Sequence, residues 1–244
     1  MDKIYEIFMN NRAMFIDGTI VTLKISLLST IIGLIIGLVV GGIRTIPEQK
    51  GFKRVIQKIV NAVLMVYIQV FRGTPMMVQA MLVYYGVAYY FGLQINKMLA
   101  AYIIVSINTG AYMAEVVRGG INSIDKGQFE AAYASGMTHA QTMLYVIVPQ
   151  TLRNILPATG NEFVINIKDT SVLNIISVSE LFFASKTIAG QTFDTFNTFI
   201  VTAIIYLFLT TVITQILSVI EAKMGGPKAF VLKSSNWGGL WKKY

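Results

Sequence analysis

Apolar residues along this chain are gathered into long runs that follow neither the period of a surface helix nor that of a half-buried strand. Residues 25–43 are nineteen successive positions without a charge, and residues 196–220 are twenty-five. A helix rises about 1.5 Å per residue, so each run can cross a hydrocarbon core about 30 Å thick. The pattern predicts an all-α integral membrane protein, because a membrane barrel would need many short strands of alternating polarity.

Five membrane-spanning helices are expected in this bundle. Their approximate bounds are 17–43, 57–90, 97–117, 154–176 and 196–221. The second is too long for one straight crossing and contains Thr74 and Pro75, so a bend or break is expected there, with two short spans as the alternative. The mixed polarity of 177–195 indicates a short external or partly re-entrant helix.

Basic residues outside the spans favour one orientation. Thirteen lysines and arginines lie in 44–58, in 118–153 and from 223 onward, against four in the opposite loops. Cytoplasmic loops carry such an excess, so we expect an extracytoplasmic segment at 1–16, a transmembrane domain at 17–223 and a cytoplasmic tail at 224–244. Tryptophan and lysine in the tail suit either an interfacial or a disordered segment.

Composition narrows the kinds of chemistry that are expected. The chain is 55% hydrophobic and 13% charged, with a net charge of +8. It has no cysteine and one histidine, His139, so neither a disulfide framework nor a metal site is predicted. The basic residues are dispersed among membrane-flanking loops, so orientation in the membrane explains them more simply than a nucleic acid partner.

A polar helix rich in small residues interrupts the apolar runs at 130–149. It carries Glu130, Ala131 and Ala132, then Gly136, then Pro149 after twelve more residues. This pattern resembles the EAA loop of the membrane subunits of bacterial ATP-binding-cassette (ABC) importers. The resemblance implies a cytoplasmic coupling helix, within the loop 118–153, that docks on a separate ATPase.

Other motifs extend the resemblance over about 17–223. They are Arg72-Gly73-Thr74-Pro75, Asn108-Thr109-Gly110-Ala111-Tyr112, Glu115 through Arg118-Gly119-Gly120-Ile121, Lys126-Gly127-Gln128 and Lys168-Asp169-Thr170-Ser171. In this order they resemble the permease subunits of the polar amino acid uptake family, which includes histidine and glutamine permeases. Val146 and Val148 stand where that family has Ile and Leu, and both keep the apolar character.

The resemblance implies a type I ABC importer transmembrane fold and ATP-driven uptake of polar amino acids across a prokaryotic cell membrane. It also implies several partners: a second permease subunit, identical or homologous, two cytoplasmic ATPase subunits that hold ATP and Mg, and an extracytoplasmic substrate-binding protein. The sequence has no G-x-x-x-x-G-K-[ST] phosphate loop, so this chain is expected to be non-catalytic and to bind no cofactor. A passive ion or solute channel and an intramembrane enzyme are the alternatives.

Polar residues inside the spans are candidates for the substrate pathway, because a charge at the bilayer centre costs about 2.5–3.5 kcal/mol even on insertion scales. They form two stripes at helical spacing: Asn108, Tyr112 and Glu115 on the third span, and Glu162, Asn166 and Asp169, with neighbouring Lys168, on the fourth.

These stripes contain both kinds of group that a zwitterionic amino acid needs. Lys168 can hold a carboxylate, and Glu162 or Asp169 can accept an ammonium group. The alternative is structural: Lys168 pairs with a carboxylate, and Glu115 pairs with Arg118. On the first span, glycines four residues apart allow close approach of another helix, from this chain or from a second subunit. They are Gly33, Gly37 and Gly41.

Overall fold

A computed structural model describes residues 2–224 of the protein, and the regular structure in this range is helical. The helices are α1 (Asp2–Asn10), α2 (Arg12–Ile43), α3 (Phe52–Gly73), α4 (Met76–Phe91), α5 (Lys97–Asn122), α6 (Lys126–Ala134), α7 (His139–Gln141), α8 (Val148–Asp169), α9 (Leu181–Thr192) and α10 (Thr195–Met224). A π-helical segment, Thr142–Ile147, joins α7 to α8, and a 3-10 segment, Thr170–Ile176, follows α8.

Four of these helices are long and apolar enough to cross a membrane: α2, α3, α5 and α10. A fifth crossing is obtained when His139–Ile176 and α9 are counted together, although the two parts are bent by 56°. The expected count of five is therefore compatible with the helices. The predicted short helix within 177–195 is present as α9, and the bend marks a broken span or a re-entrant segment.

The start of the first span differs from the expected boundary. The first span begins at Arg12 rather than 17, and a separate helix, α1, precedes it. Apolar runs mark the part of a helix that fits hydrocarbon, whereas the helix itself continues into the interface. The predicted tail begins at residue 224, and the part of it beyond Met224 lies outside the described residues.

The second predicted span is broken at the expected place. α3 ends at Gly73, α4 begins at Met76, and the linking Thr74 has an extended backbone. This break has a local cause, because proline disfavours a helical conformation in the preceding residue. Both pieces still pack on α5, so the break redirects the chain without removing it from the bundle.

The centre of the bundle is the contact between α2 and α5. A β-carbon built on Gly33 would lie 2.5 Å from the Thr109 methyl carbon, and one on Gly41 would lie 2.7 Å from the Ala114 carbonyl oxygen. A β-carbon on Gly37 would overlap the Met113 side chain. The glycine stripe of the first span therefore packs within the same chain, where small residues bring two helix backbones together.

Buried apolar clusters continue from this centre toward both ends of the bundle. One cluster joins Phe15 of α2 to Leu181 and Ile188 of α9 and to Val201 of α10. Another, at the opposite ends of α2 and α5, contains Val117, Ile121, Ile124, Ile147 and Ile155. The second cluster supports the segment that carries the predicted coupling helix.

Replacing Gly37 with alanine should destabilise the bundle by about 1–3 kcal/mol, because the added methyl group must displace Met113 or separate α2 from α5. The matched control is Gly42→Ala, since Gly42 lies in the same helix and a β-carbon there meets no atom of the described residues within 4 Å. The measurement is thermal unfolding of the two purified variants in detergent. Equal stability of the two would contradict close α2–α5 packing.

Candidate functional site

The break between α3 and α4 is held by two amide side chains. In a continuous helix the Phe71 carbonyl would accept a hydrogen bond from residue 75, but Pro75 has no N–H group. Instead, the Gln79 Nε2 donates to the carbonyls of Phe71 and Thr74, at 2.9 Å each. Asn108 of α5 donates to the same Phe71 carbonyl at 3.0 Å and to Gln79 Oε1 at 2.9 Å. Asn108 therefore helps to satisfy the carbonyl group that the helix break leaves without its usual donor.

Asn166 has a comparable role deep in the bundle. Its Nδ2 donates to Thr30 Oγ1 of α2 at 2.9 Å and to Thr109 Oγ1 of α5 at 3.0 Å. Asn166 and Thr109 are almost fully buried. The resulting triad joins α2, α5 and α8, and fully satisfied buried groups of this kind specify one arrangement of helices.

Glu115 is occupied by two arginines. Its carboxylate accepts hydrogen bonds from Arg44, at the end of α2, and from Arg118 one turn further along α5, at 2.8 Å. The pairing with Arg118 agrees with the structural alternative from the sequence, and Arg44 adds a link between two helices. The Glu115 carboxylate is therefore engaged in ion pairs within the chain.

The remaining charged candidates make no such ion pairs within the described residues. Glu162 is largely buried, whereas Lys168 and Asp169 are exposed on α8. Within residues 2–224, none of the three makes a side-chain hydrogen bond or a close ion pair. The guanidinium carbon of Arg72 lies 5.2 Å from the centroid of the half-exposed Tyr112 ring.

Sequence reasoning missed Gln79, Arg44, Thr30 and Thr109 as members of these networks. Only the role of Gln79 could have been inferred from the sequence. Pro75 lies four residues after Phe71 and has no N–H group, so the Phe71 carbonyl needs a donor from a nearby side chain. The other three are brought in by neighbouring helices. Among the described residues no group of three or more His, Asp or Glu side chains is suited to hold a metal ion.

The second part of the candidate site is the short helix α6. Asp125 caps it, with its carboxylate accepting from the Gly127 N–H at 2.7 Å. Ala132 is buried, and Phe129 packs against the cluster around Ile121 and Ile147. The opposite side of α6 is open: Glu130, Ala131, Tyr133 and Ala134 are exposed. Of the Glu-Ala-Ala motif, the first two residues are therefore accessible and the third anchors the helix.

Gly136 forms the turn that ends α6. Its φ of +79° lies in the left-handed region that favours glycine. The Met137 N–H donates to the Ala132 carbonyl and the Gly136 N–H to the Tyr133 carbonyl, which is the Schellman arrangement of a helix C-terminus. Tyr133 and His139 then contact across the turn at 2.9 Å. Gly136 thus has a clear conformational role.

The return to the membrane runs through the π-helical segment. Thr138 and Gln141 form a reciprocal capping box at the start of α7, and the π-helical turns follow directly. Pro149 is the second residue of α8, directly after the π-helical turns, and is exposed. Single π-helical turns are rare and occur frequently at functional sites.

The sequence matches a known protein family over most of its membrane part. The family described as "Binding-protein-dependent transport system inner membrane component" matches residues 33–226. The chain belongs to this family. Membership makes the protein a membrane component of a transport system and separates it from the passive-channel and intramembrane-enzyme alternatives.

Relatives of this inner membrane component are similar over most of their length. The glutamine transport system permease protein of Escherichia coli (strain K12) is 40% identical over 212 residues, which are 86% of this chain and 93% of the relative. The arginine transport system permease protein of Bacillus subtilis (strain 168) is 34% identical over 209 residues, covering 86% and 91%. These permeases confirm the resemblance predicted from the motifs.

Solved structures share the fold. A crystal structure of an amino acid ABC transporter with histidines has a chain that is 36% identical, with a TM-score of 0.78 over 88% of this chain and 96% of that chain. An inward-facing methionine ABC transporter has 17% identity and a TM-score of 0.72, covering 87% and 97%, and shows the fold alone. The predicted all-α fold of a type I ABC importer permease is confirmed.

Replacing Gln79 with leucine should destabilise the chain by about 1–3 kcal/mol, because the Thr74 carbonyl and the Asn108 amide would lose a partner in a buried setting. Gln191→Leu makes the same chemical change at an exposed position of α9 and serves as the control. Thermal unfolding of both purified variants measures the difference. If the control variant loses as much stability as Gln79→Leu does, the proposed role of Gln79 at the helix break is wrong.

Proposed function

We propose that this chain is the permease subunit of an ATP-driven importer that moves polar amino acids into the cytoplasm. The observation that carries the proposal is the open face of α6, on a segment anchored to the ends of α2, α5 and α8. Relatives named for glutamine and arginine transport, and a solved amino acid transporter, support the substrate class. These substrates share an α-ammonium and an α-carboxylate group.

Glu130 and Ala131 are proposed as the contact residues for a cytoplasmic ATPase. Both are exposed on one short helix, and the small alanine allows another backbone to approach closely. Ala132 and Gly136 support this contact indirectly, since Ala132 is buried beneath the helix and Gly136 forms its closing turn. Pro149 starts the helix that carries the movement back into the membrane.

The packing of α6 supports a route by which ATPase closure is transmitted to the membrane helices. Phe129 lies against the cluster formed by the ends of α5 and α8, and Leu34 and Leu38 of α2 pack against the same cluster. A displacement of α6 therefore acts on three spans together. We propose that two ATPase subunits bind ATP and Mg, and that a second permease subunit, identical or homologous, completes the pathway.

The proposed orientation follows the charge asymmetry. It places α6 in the cytoplasm, the N-terminus outside and the C-terminus inside a prokaryotic cell membrane. The loop that precedes α5 and the loop between α9 and α10 then face an extracytoplasmic substrate-binding protein. In this arrangement the protein that captures the amino acid and the protein that hydrolyses ATP contact opposite ends of the same bundle.

The proposed substrate pathway follows the side chains that the protein leaves available. Glu162 is the leading acceptor for the substrate ammonium group, because it is largely buried and has no hydrogen-bond partner within residues 2–224. Asp169 and Lys168 lie further along the same helix. Asn108, Asn166 and Glu115 border the pathway and hold its walls, since their polar atoms are already bonded to neighbouring helices.

Positive charge introduced on α6 tests the ATPase contact. Glu130→Lys and Ala131→Arg should reduce co-purification with the ATPase and ATP-dependent uptake at least tenfold, while the chain itself stays folded, because both residues are exposed. Glu6→Lys makes the same charge change at an exposed position of α1 and is the control. If the α6 variants bind the ATPase and support uptake like the control, the coupling assignment is wrong.

Removing the charge of Glu162 tests the pathway. With Glu162→Gln, the concentration of amino acid needed for half-maximal stimulation of ATP hydrolysis should rise about tenfold or more, since a hydrogen bond to a charged group is worth about 1.5–3 kcal/mol. The assay uses the assembled transporter and screens glutamine, arginine and histidine. Glu48→Gln, at an exposed ion pair, should have no effect. An unchanged dependence on amino acid in Glu162→Gln would remove Glu162 from the pathway.

A further inference from the structure

The first three turns of α3, residues 52–63, are hardly packed against the rest of the described chain. The helix is long and apolar enough to cross a membrane, yet its one buried residue is Ile68. The apolar cluster that ties α3 to α2 and α5 includes Leu64, Tyr67 and Ile68, but no residue of α3 before Leu64. The start of α3 therefore presents its side chains to the surroundings of residues 2–224.

Large apolar side chains form one continuous face on these turns. At about 100° per residue, five of them fall within an arc of about 100° on the helix surface, at positions 52, 55, 56, 59 and 63. Phe52 is 78% exposed and Ile59 is 60% exposed. An exposed apolar face of this kind on a membrane-spanning helix is suited to hydrocarbon.

Lysines lie on both sides of this apolar face. Lys53 is about 100° from its centre in one direction and Lys58 about 120° in the other, while Lys50 lies in the turn just before the helix. All three are exposed, and within residues 2–224 none pairs with a carboxylate. The nearest acidic residue in sequence, Glu48, already pairs with Arg54 at 3.3 Å. The lysine charges are therefore available to an anion from outside this chain.

The loop that carries Lys50 is fastened to the helix by the side chain of Gln57. The Gln57 Nε2 donates to the Ile46 carbonyl at 2.9 Å and to the Pro47 carbonyl at 3.1 Å. Its Oε1 accepts from the Gln49 N–H at 2.9 Å. Because three hydrogen bonds hold this loop, the backbone before Lys50 has a fixed place against the first turns of α3, and the lysines belong to an ordered surface.

We propose that this lysine surface, formed by Lys50, Lys53 and Lys58 around the apolar face of residues 52–63, binds an anionic phospholipid. The apolar face lies among the acyl chains, and the long lysine side chains reach the headgroup phosphate. A soluble acidic protein would leave the apolar face in water, and a second copy of the same surface would bring like charges together. A lipid matches both parts. The inference depends neither on the transported substrate nor on which end of the bundle is cytoplasmic.

Quenching of a fluorophore by brominated lipids tests the assignment at a single position. The chain has no cysteine, so Ile56→Cys gives one attachment site for a bimane label on the apolar face. Leu207→Cys carries the same label on the exposed surface of α10 as a control. The full-length chain is studied in mixed micelles with brominated phosphatidylglycerol or brominated phosphatidylcholine of the same acyl chains. Half-maximal quenching at position 56 should need at least about fivefold less phosphatidylglycerol than phosphatidylcholine, with no preference at position 207.

Variants at exposed positions identify the groups responsible. The lysine variant carries three substitutions, Lys50→Gln, Lys53→Gln and Lys58→Gln. It should lose the preference at position 56 and keep its quenching by phosphatidylcholine. The matched control removes three exposed charges elsewhere, with Lys3→Gln, Arg12→Gln and Lys186→Gln, and should keep the preference. Gln57→Leu retains every lysine but releases the loop, so it should lower the preference severalfold.

Several results would overturn the assignment. One is a lysine variant that keeps the preference, or a control variant that loses it equally. Another is a full preference in Gln57→Leu, because the attraction would then be diffuse and would need no ordered loop. If neither lipid quenches position 56, another protein surface covers the apolar face. If inorganic phosphate displaces phosphatidylglycerol and chloride of equal ionic strength does not, the lysines bind free phosphate instead of a lipid.

Discussion

A peptide carbonyl surrounded by hydrocarbon has to find a hydrogen-bond donor within the protein, because no water is available to supply one. The Thr74–Pro75 break makes this requirement local and specific. It accounts for Gln79, whose amide reaches back to two carbonyls, and for Asn108, which brings α5 to the same point. The break is thereby held in one fixed geometry, and the end of α3 lies against Asn108 and Tyr112 of α5.

Helix α5 connects the two parts of the functional site. Its C-terminal end contributes Val117 and Ile121 to the cluster beneath α6, and Asn108 and Tyr112 lie earlier in the same helix. At about 1.5 Å per residue, the helix rises about 20 Å without a break from residue 108 to residue 122. A movement that enters at α6 is therefore transmitted to the walls of the proposed substrate pathway through one continuous helix.

The sequence was sufficient for the elements that depend on local physics. Long uncharged runs predicted the spans, proline predicted the break in the second, and mixed polarity predicted a short helix before α10. Residue roles were harder to predict, because they depend on which helices become neighbours. Asn108 and Glu115 share one stripe on α5, yet their partners Phe71 and Arg44 are 37 and 71 positions away. Gly136 was assigned to docking from a motif, whereas its backbone conformation gives it a role in the turn.

The packing of α2 on α5 carries one more consequence. Gly33, Gly37 and Gly41 bring the two backbones together with no layer of long side chains between them. A β-carbon at position 37 would meet the backbone of Met113 and Ala114 as well as the Met113 β-carbon, so shortening the Met113 side chain makes no room for it. The glycines of α2 should therefore have been kept over evolutionary time, while the longer side chains around them were free to change.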